Sequence, residues 1–273
     1  MNSNVPVKRE PQRAVVQSPS QQALSQLIAG NPLLPRIHLA MMFPRDLERF
    51  EESFRQEVLA APEGMVYAKP QGKEKLRGPS IRMAEIGARH FRNLWVSEPR
   101  IEERDNRVTV TVEALDLESN CSQPGTATTS LVGKDRTRLR DDVVSNLVAA
   151  TCSKAKRNAI IALIGRRPFD DLVADCIAEE RKRASRWTPE QIAAEWEKAS
   201  RWWVTKVKVT IEDVLAFCRA ESPDKVTSEA LVDLKQAATA VQQGTPPRVA
   251  LGLDDGAEPK TQGLSEDFPF EKE

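Results

Sequence analysis

The sequence predicts an α+β protein: a core built from a helix, a three-strand antiparallel β-meander and a helix, followed by a small all-helical unit, with disordered ends. Three observations support this. Apolar residues change from helical to alternating spacing and back to helical between residues 78 and 165. Tryptophan-rich helical patterns follow position 168, and both ends are too polar to bury an apolar core. We therefore divide the chain into a leader (1–20), a core (21–167), a helical C-terminal unit (168–244) and an acidic tail (245–273).

The first predicted elements are a helix and a loop. Apolar residues at helical spacing predict an amphipathic helix over residues 40–61, which ends before Pro62. Residues 62–78 are lysine-rich and punctuated by glycine and proline, so they are expected to form a cationic loop. Its Gly72-Lys73 is not a phosphate-binding P-loop, because the spacing of glycine to Lys-Ser/Thr is absent.

The predicted core begins with a helix that starts at Ser80. One stripe of this helix is apolar, and the other presents three arginines, Arg82, Arg89 and Arg92. Strands are predicted over residues 94–101, 107–117 and 126–132. The central strand alternates valine with threonine and glutamate, which is typical of a sheet with one covered face and one open face.

The second core helix is predicted over residues 143–164 and is apolar on more than one side. Lys154, Lys156 and Arg157 nevertheless lie in its middle, and Arg166 and Arg167 follow its end. Buried helices seldom keep such charges unless they are used. This set is therefore the strongest candidate in the chain for contact with phosphates.

Three helices are predicted in the C-terminal unit. Residues 188–191, Thr-Pro-Glu-Gln, read as a capping box with proline at the first helical position. Thr210 and Asp213 indicate a second start, and a third helix is expected to end at Gly244. The tryptophans of this unit are interpreted as core, with base stacking as the alternative; they are Trp187, Trp196, Trp202 and Trp203.

The formal net charge is zero, yet the charge is distributed unevenly. Residues 134–167 hold nine Lys/Arg against three Asp/Glu (+6), and residues 69–107 hold ten against six (+4). Residues 251–273 hold seven acids against two bases (−5). A basic centre and an acidic tail thus sum to neutrality, and the local values are the ones that bear on partners.

Several classes of site are disfavoured. Four cysteines without a CxxC pair and only two histidines argue against a zinc site or a disulfide scaffold. The carboxylates Glu113, Asp116 and Glu118 share one strand and are interpreted as a solvated face instead of a nuclease metal site. Neither His38 nor His90 has a nucleophile beside it. No catalytic set and no metal site are predicted.

The chain lacks a signal peptide and a membrane-spanning apolar run, so a soluble cytoplasmic protein is expected. Phe91 and Trp95 lie where the basic helix enters the first strand; a structural role is the favoured interpretation, and base stacking is the alternative. The end of the tail, Asp267-Phe268-Pro269-Phe270, resembles the acidic tip of bacterial single-strand-binding proteins but continues for three more residues. An ordinary solubilising tail is the alternative.

Three segments carry a resemblance to a known family: Gly-Pro-Ser-Ile-Arg-Met-Ala-Glu at 78–85, Val-Glu-Ala-Leu-Asp-Leu-Glu at 112–118 and Ser-Lys-Ala-Lys-Arg-Asn-Ala-Ile at 153–160. Over about residues 62–170 the chain resembles phage single-strand annealing proteins of the RecT, Red beta, Erf and Rad-type superfamily. The resemblance implies an ATP-independent, cofactor-free recombination and repair protein that forms rings or filaments and pairs complementary strands. A phage exonuclease or a host single-strand-binding protein would be its partner.

The resemblance places single-stranded DNA on Arg82, Arg89, Lys154, Lys156 and Arg157. Since phosphate contacts need only charge and reach, we extend the expected DNA-binding set to the neighbouring cations. These are Lys73, Lys75, Arg77, Arg92, Arg136, Arg138, Arg140, Arg166 and Arg167. Two alternatives remain open: a passive single-strand-binding or replication-accessory protein, and an adaptor whose basic face meets an acidic protein.

Overall fold

A computed structural model describes residues 31–253, except 72–73 and 134–136. In this part of the chain the elements are α1 (Leu34–Met42), α2 (Leu47–Ala60), β1 (Val66–Gln71), β2 (Glu74–Pro79), α3 (Ile81–Phe91), β3 (Leu94–Val96), β4 (Arg100–Arg104), β5 (Arg107–Asp116), β6 (Ser122–Ser130), α4 (Asp141–Ile164), α5 (Arg167–Ala184), α6 (Pro189–Trp202), α7 (Ile211–Cys218), α8 (Ser228–Gln242) and α9 (Pro247–Ala250). The predicted α+β class is confirmed. The predicted leader, residues 1–20, lies outside the described residues.

The single helix predicted over residues 40–61 is wrong, because two helices occupy this region. α1 ends at Phe43, whose backbone leaves the helical region (φ −126°, ψ 68°). Pro44 accounts for the break, since proline lacks an N–H and disfavours the helical conformation in the preceding residue. α2 restarts after Asp46, whose side chain accepts a hydrogen bond from the Arg49 backbone N–H.

The loop predicted over residues 62–78 is also wrong. β1 and β2 form an antiparallel hairpin there, in which Val66 lies opposite Pro79 and Tyr67 opposite Gly78. Val66 and Ala68 are buried, and the alternate residues of β1 therefore lie on the other face of the hairpin. Glycine, proline and lysine concealed this short strand pattern in the sequence.

The meander has the predicted antiparallel topology with one additional break. β5 is central and pairs with β6 along one edge and with β3 and β4 along the other. β3 and β4 together correspond to the strand predicted over 94–101, which Pro99 interrupts because it cannot donate to the ladder. The last strand begins at residue 122 instead of 126. β3 and β4 thus share one edge of β5, so the four-stranded sheet is three strands wide.

α4 covers one face of this sheet, as the alternation in β5 predicts. The alternate valines of β5 are buried against Ala155 and Ala159 of α4. Gly125 of β6 allows the closest approach, because a Cβ atom at this position would overlap the backbone of Ala155 and Ala159. Sheet packing therefore fixes the position and rotation of the helix that carries the central cations.

A second apolar cluster joins α2, α3 and α5. Phe169, Leu172 and Cys176 of α5 are buried in it, and the Phe169 ring contacts Phe54 edge-on with centroids 5.3 Å apart. The change in composition after Pro168 predicted that residues 168–184 belong to the helical C-terminal unit. In the structure α5 packs in this second cluster with α2 and α3, because its apolar residues recur at helical spacing on the face toward α2.

The remaining helices, α6 to α9, share a third core. Trp196 and Trp203 are buried in it and Trp187 and Trp202 pack against it, so the interpretation of these side chains as core is confirmed. The predicted capping box at Thr188 is present. Ala250 and Leu251 are buried here too, so residues 245–253, assigned to the tail, include a short packed helix instead.

Candidate nucleic-acid interface

The charged groups in the middle of α4 lie where three segments meet: α4, the β1–β2 hairpin and the turn that follows α8. Arg157 Cζ stands 5.0 Å from the centroid of the Tyr67 ring, and its Nη1 donates to Gln243 Oε1 at 3.0 Å. The ring is seated against Gly78, where a Cβ atom would come within 2.7 Å of the Tyr67 hydroxyl. A glycine in β2 therefore makes room for the aromatic surface on which the guanidinium rests.

Lys154, one helical turn earlier, has the same type of surroundings. Its Nζ donates to the Gly244 carbonyl at 3.4 Å. Burial lowers the pKa of Lys154, and the positive charges of Arg157 and Lys69 lower it further. Burial also lowers the pKa of Arg157. The three segments thus bring Lys69, Lys154 and Arg157 close enough to repel one another.

Beyond Arg157 the surface forms a cleft of about 400 Å³ between α4, the hairpin and the start of α5. Tyr67 and Pro79 line one side, and Asn158 and Arg166 line the other. The Asn158 side-chain amide donates to the Thr126 carbonyl at 3.2 Å, which ties this wall to the sheet. The cleft brings an aromatic ring, one amide group, two guanidiniums and the Asp170 carboxylate, which pairs with Arg166, to one concave surface.

Lys154 and Arg157 differ from most cations of the chain because no carboxylate lies within 4 Å of either among the described residues. Neutral oxygens, from an amide side chain and a carbonyl, are their hydrogen-bond acceptors. A partly buried cation with neutral partners retains its positive field, and water compensates it less well than at the surface. We call these two residues the cleft cations.

Most other members of the expected DNA-binding set are ion-paired within the chain. Lys75 and Arg77 both bind Asp233 of α8, and Lys156 binds Glu85 at 2.6 Å. The remaining pairs are Arg89 with Glu57, Arg138 with Glu103, Arg140 with Asp142, Arg166 with Asp170 and Arg167 with Asp171. We call these eight residues the paired cations. Their carboxylates cancel much of the field that the sequence count suggested, and they lie on several elements instead of along one groove.

Four members of the set stand apart. Arg82 is exposed and its Nη1 donates to the Glu63 carbonyl at 3.3 Å, while Arg92 is exposed at the end of α3 with φ 60°. Neither has a carboxylate partner among the residues with described positions. Lys73 and Arg136 lie outside the described residues. The α3 arginines are therefore not brought together with the cleft cations by any contact in the structure.

Base stacking on Phe91 is contradicted. The Phe91 side chain is only 8% exposed, meets Phe50 edge-on with centroids 5.3 Å apart, and is covered by Arg45 at 3.9 Å. Helical spacing predicts Phe91 on the apolar stripe of α3, and this position explains its burial. Trp95 is partly exposed on β3, so stacking at that position stays a prediction.

The carboxylates of the central strand have a structural role. Arg45 binds both Asp116 and Glu118, which fastens the α1–α2 connection to the end of β5. His90 Nε2 lies 2.6 Å from Glu57 Oε2, and this contact with the imidazole lowers the Glu57 pKa. Among residues 31–253, the described ones include no group of three or more His, Cys, Asp or Glu side chains that could hold a metal ion.

Sequence reasoning missed Tyr67, Lys69 and Asn158. The signal was present: Val66 to Lys69 alternate apolar with polar, and Tyr67 is the only tyrosine of the chain. Asn158 directly follows the recognised basic run, and its polarity in an apolar helix could have been read in the same way as that of Arg157.

Comparisons with protein-family models, with curated proteins and with solved structures returned no match to this chain. Within the described part, none of the helices is long and apolar enough to cross a membrane.

Proposed function

We propose that this protein binds single-stranded DNA at the cleft between α4 and the β1–β2 hairpin, and that it anneals complementary strands in the cytoplasm without ATP. One observation carries the proposal: Lys154 and Arg157 are partly buried cations that lie close together, and within the described residues their hydrogen-bond acceptors are neutral oxygens. An anion at this position would relieve the repulsion and replace hydration that the fold has removed. Phosphate groups supply such anions at every nucleotide.

Single-stranded DNA is the ligand that the resemblance to phage annealing proteins favours for this cleft. The Arg157 guanidinium lies over the Tyr67 ring and the ring lies against Gly78, so Tyr67 orients Arg157 towards a phosphate instead of stacking a base. A phosphate contact does not distinguish the four bases. The resulting affinity depends on salt and is nearly independent of sequence.

Annealing adds one requirement, which is that bound strands keep their pairing edges accessible. Phosphate contacts leave the Watson–Crick edges free, and weak contacts let the product duplex leave. This agrees with the resemblance to phage annealing proteins and to their helix, β-meander, helix core. It separates the proposal from passive single-strand protection, in which tight and extensive stacking would obstruct pairing.

The self-association implied by the resemblance has support at the start of the described chain. α1 and the connection to α2 expose five large apolar side chains, whereas Ala40 is the buried residue of α1. These side chains are Leu39, Met41, Met42, Phe43 and Leu47. Exposed apolar patches of this kind mark interaction sites, and a second copy of the chain is the partner that a ring or filament requires.

The decisive experiment mixes the purified protein with two complementary fluorescent oligonucleotides without ATP and follows duplex formation over a salt series. We expect faster pairing that declines as salt rises, because released counterions drive phosphate binding. Binding without faster pairing would assign a passive single-strand binder. Absence of salt-sensitive binding would refute the nucleic-acid proposal and favour an acidic protein partner.

A further inference from the structure

The described chain ends beside the cleft. Leu251 is buried in the helical core, and the Leu253 N–H donates to the Arg248 carbonyl at 2.9 Å. Gly252 lies against the hairpin, where an added Cβ atom would be 3.0 Å from Pro70 Cγ. Pro70 directly follows Lys69, whose charge lowers the pKa of Lys154. Residue 254 therefore begins beside β1, on the face of the hairpin opposite Tyr67 and about three residues along the strand from it.

The segment that starts at this point is strongly acidic. Residues 254–273 contain seven Asp/Glu and two Lys, and the first two residues are Asp254 and Asp255. Arg157, which lines the cleft, and Lys154, one helical turn before it, have the opposite charge and lack carboxylate partners among the described residues. Complementary charge and a shared location thus bring together a cationic cleft and an acidic segment.

We propose that the acidic segment 254–273 docks on the cleft cations when no nucleic acid is bound, and competes with single-stranded DNA for that site. The competition rests on the proposed function. An extended chain advances about 3.3 Å per residue, so the segment that follows Leu253 is long enough to pass the edge of the hairpin and reach the cleft. Covalent attachment gives an effective concentration on the order of millimolar, so weak carboxylate contacts suffice for partial occupancy.

Such a segment would set a minimum number of phosphates for binding. Polyanions that offer only one or two phosphates would not displace it, whereas a strand with many phosphates would, since its contacts add along the chain. The same displacement would return the acidic segment to solvent, where it could meet other proteins. On this view the negative charge of residues 254–273 balances the positive charge of the binding site, and the net charge of the chain is zero.

Three variants of the full chain test this inference. One ends after Leu253, which keeps α9. A second keeps all residues but carries Asp→Asn and Glu→Gln at the seven acidic positions of 254–273. The matched control, Phe268→Ala with Phe270→Ala, alters the segment without changing its charge. We expect the first two to bind a fluorescent oligodeoxythymidine about three- to tenfold more tightly than wild type at low salt.

The difference should shrink towards about 0.5 M salt, where the screening length falls to roughly 4 Å. The control should bind like wild type. Equal low-salt affinity of all four proteins would overturn the inference while leaving the proposed function intact. A tighter Phe268/Phe270 variant would also overturn it, because aromatic docking would then replace charge as the cause.

A measurement without DNA tests whether the acidic segment docks near Lys154, even if the protein does not bind DNA. A docked acidic segment raises the pKa of Lys154 and covers its amine, so neutralising the segment should make Lys154 acetylate about three- to tenfold faster. Exposed Lys206, in the helical turn that follows α6, serves as the internal control in the same mass-spectrometric experiment. Unchanged Lys154 reactivity in the seven-site variant would refute docking whether or not the protein binds DNA.

Discussion

The cleft cations and the paired cations have the same chemistry in sequence and opposite environments in the fold. Lys154, Lys156 and Arg157 lie within four consecutive positions of α4. Lys156 is 41% exposed and binds Glu85 at 2.6 Å, whereas Lys154 and Arg157 point toward the hairpin and meet neutral oxygens. The lesson is that positive charge available to a ligand depends on which side of a helix a residue occupies, and a residue count cannot reveal this.

The cleft cations and the paired cations should also differ in their contribution to the free energy of unfolding. An exposed ion pair contributes about 0–1 kcal/mol to stability and keeps the surface close to neutral. A partly buried cation without a carboxylate lowers stability, and a fold retains it when a ligand uses the charge. Four variants can break or sharpen this comparison.

The largest effect is expected when the helix that carries both sets is displaced. In Gly125→Val a side chain would overlap the α4 backbone at Ala155 and Ala159. We expect a loss of about 3 kcal/mol in the free energy of unfolding, measured by urea denaturation, and loss of oligonucleotide binding. Thr126→Ala, an exposed neighbour on β6, should behave like wild type. Normal stability of the valine variant would mean that α4 is not held against the sheet at this point.

The second variant tests how much a buried charge with a neutral partner lowers stability. It uses a negative charge, Glu180, in place of the positive charges of the cleft cations. Glu180 is 8% exposed, accepts a hydrogen bond from Gln236 Nε2 at 2.7 Å, and burial raises its pKa to about 7. Because the folded pKa lies above the unfolded value, the folded state binds more protons between pH 4.5 and about 7. Stability should therefore fall as pH rises through this window and then level off.

Glu180→Gln removes this titration and can keep the hydrogen bond. We expect the variant to match wild type near pH 4 and to be more stable near pH 8 by up to about 3 kcal/mol, measured by denaturation at each pH. Glu52→Gln, which changes an exposed carboxylate on α2, serves as the control and should leave the pH profile nearly unchanged in the same series. Parallel profiles for wild type and Glu180→Gln would show that burial does not penalise this charge.

The third variant pair removes two charges from each set. Lys154→Ala with Arg157→Ala should weaken oligonucleotide binding roughly tenfold and reduce the salt slope by about one to two, as expected when one or two phosphate contacts are lost. Arg138→Ala with Arg140→Ala removes the same charge from two ion-paired residues that do not line the cleft, and should change affinity about twofold or less. Equal losses in both variants would mean that total charge, and not pairing, governs binding.

The sequence allowed prediction of the α+β class, the capped starts of α6 and α7, and the covered face of the sheet, because each depends on local sequence pattern. It did not allow prediction of the hairpin at Val66, in which the strand is short and the pairing is long-range. The same limit applied to the site. The basic run around Arg157 was recognised, but the partner of each cation is contributed by residues up to about 160 positions away, as Asp233 is for Lys75 and Arg77.

That long-range pair offers the smallest and most discriminating change. Asp233 is 18% exposed and binds both Lys75 and Arg77, so it fastens α8 to the hairpin. Asp233→Asn removes its charge while keeping its shape. We expect a loss of about 1 kcal/mol in stability, since partial exposure moderates the cost of breaking the pair.

In the same variant Lys75 and Arg77 pass from the paired condition to that of the cleft cations. If pairing is what withholds a cation from the ligand, oligonucleotide affinity should rise about twofold and the salt slope should steepen slightly. Asp224→Asn removes an equal charge from an exposed aspartate without an ion pair in the described chain, so it separates pairing from net charge. An equal rise in that control would make net charge the cause, and no rise in either would show that the hairpin cations lie outside the path of the strand.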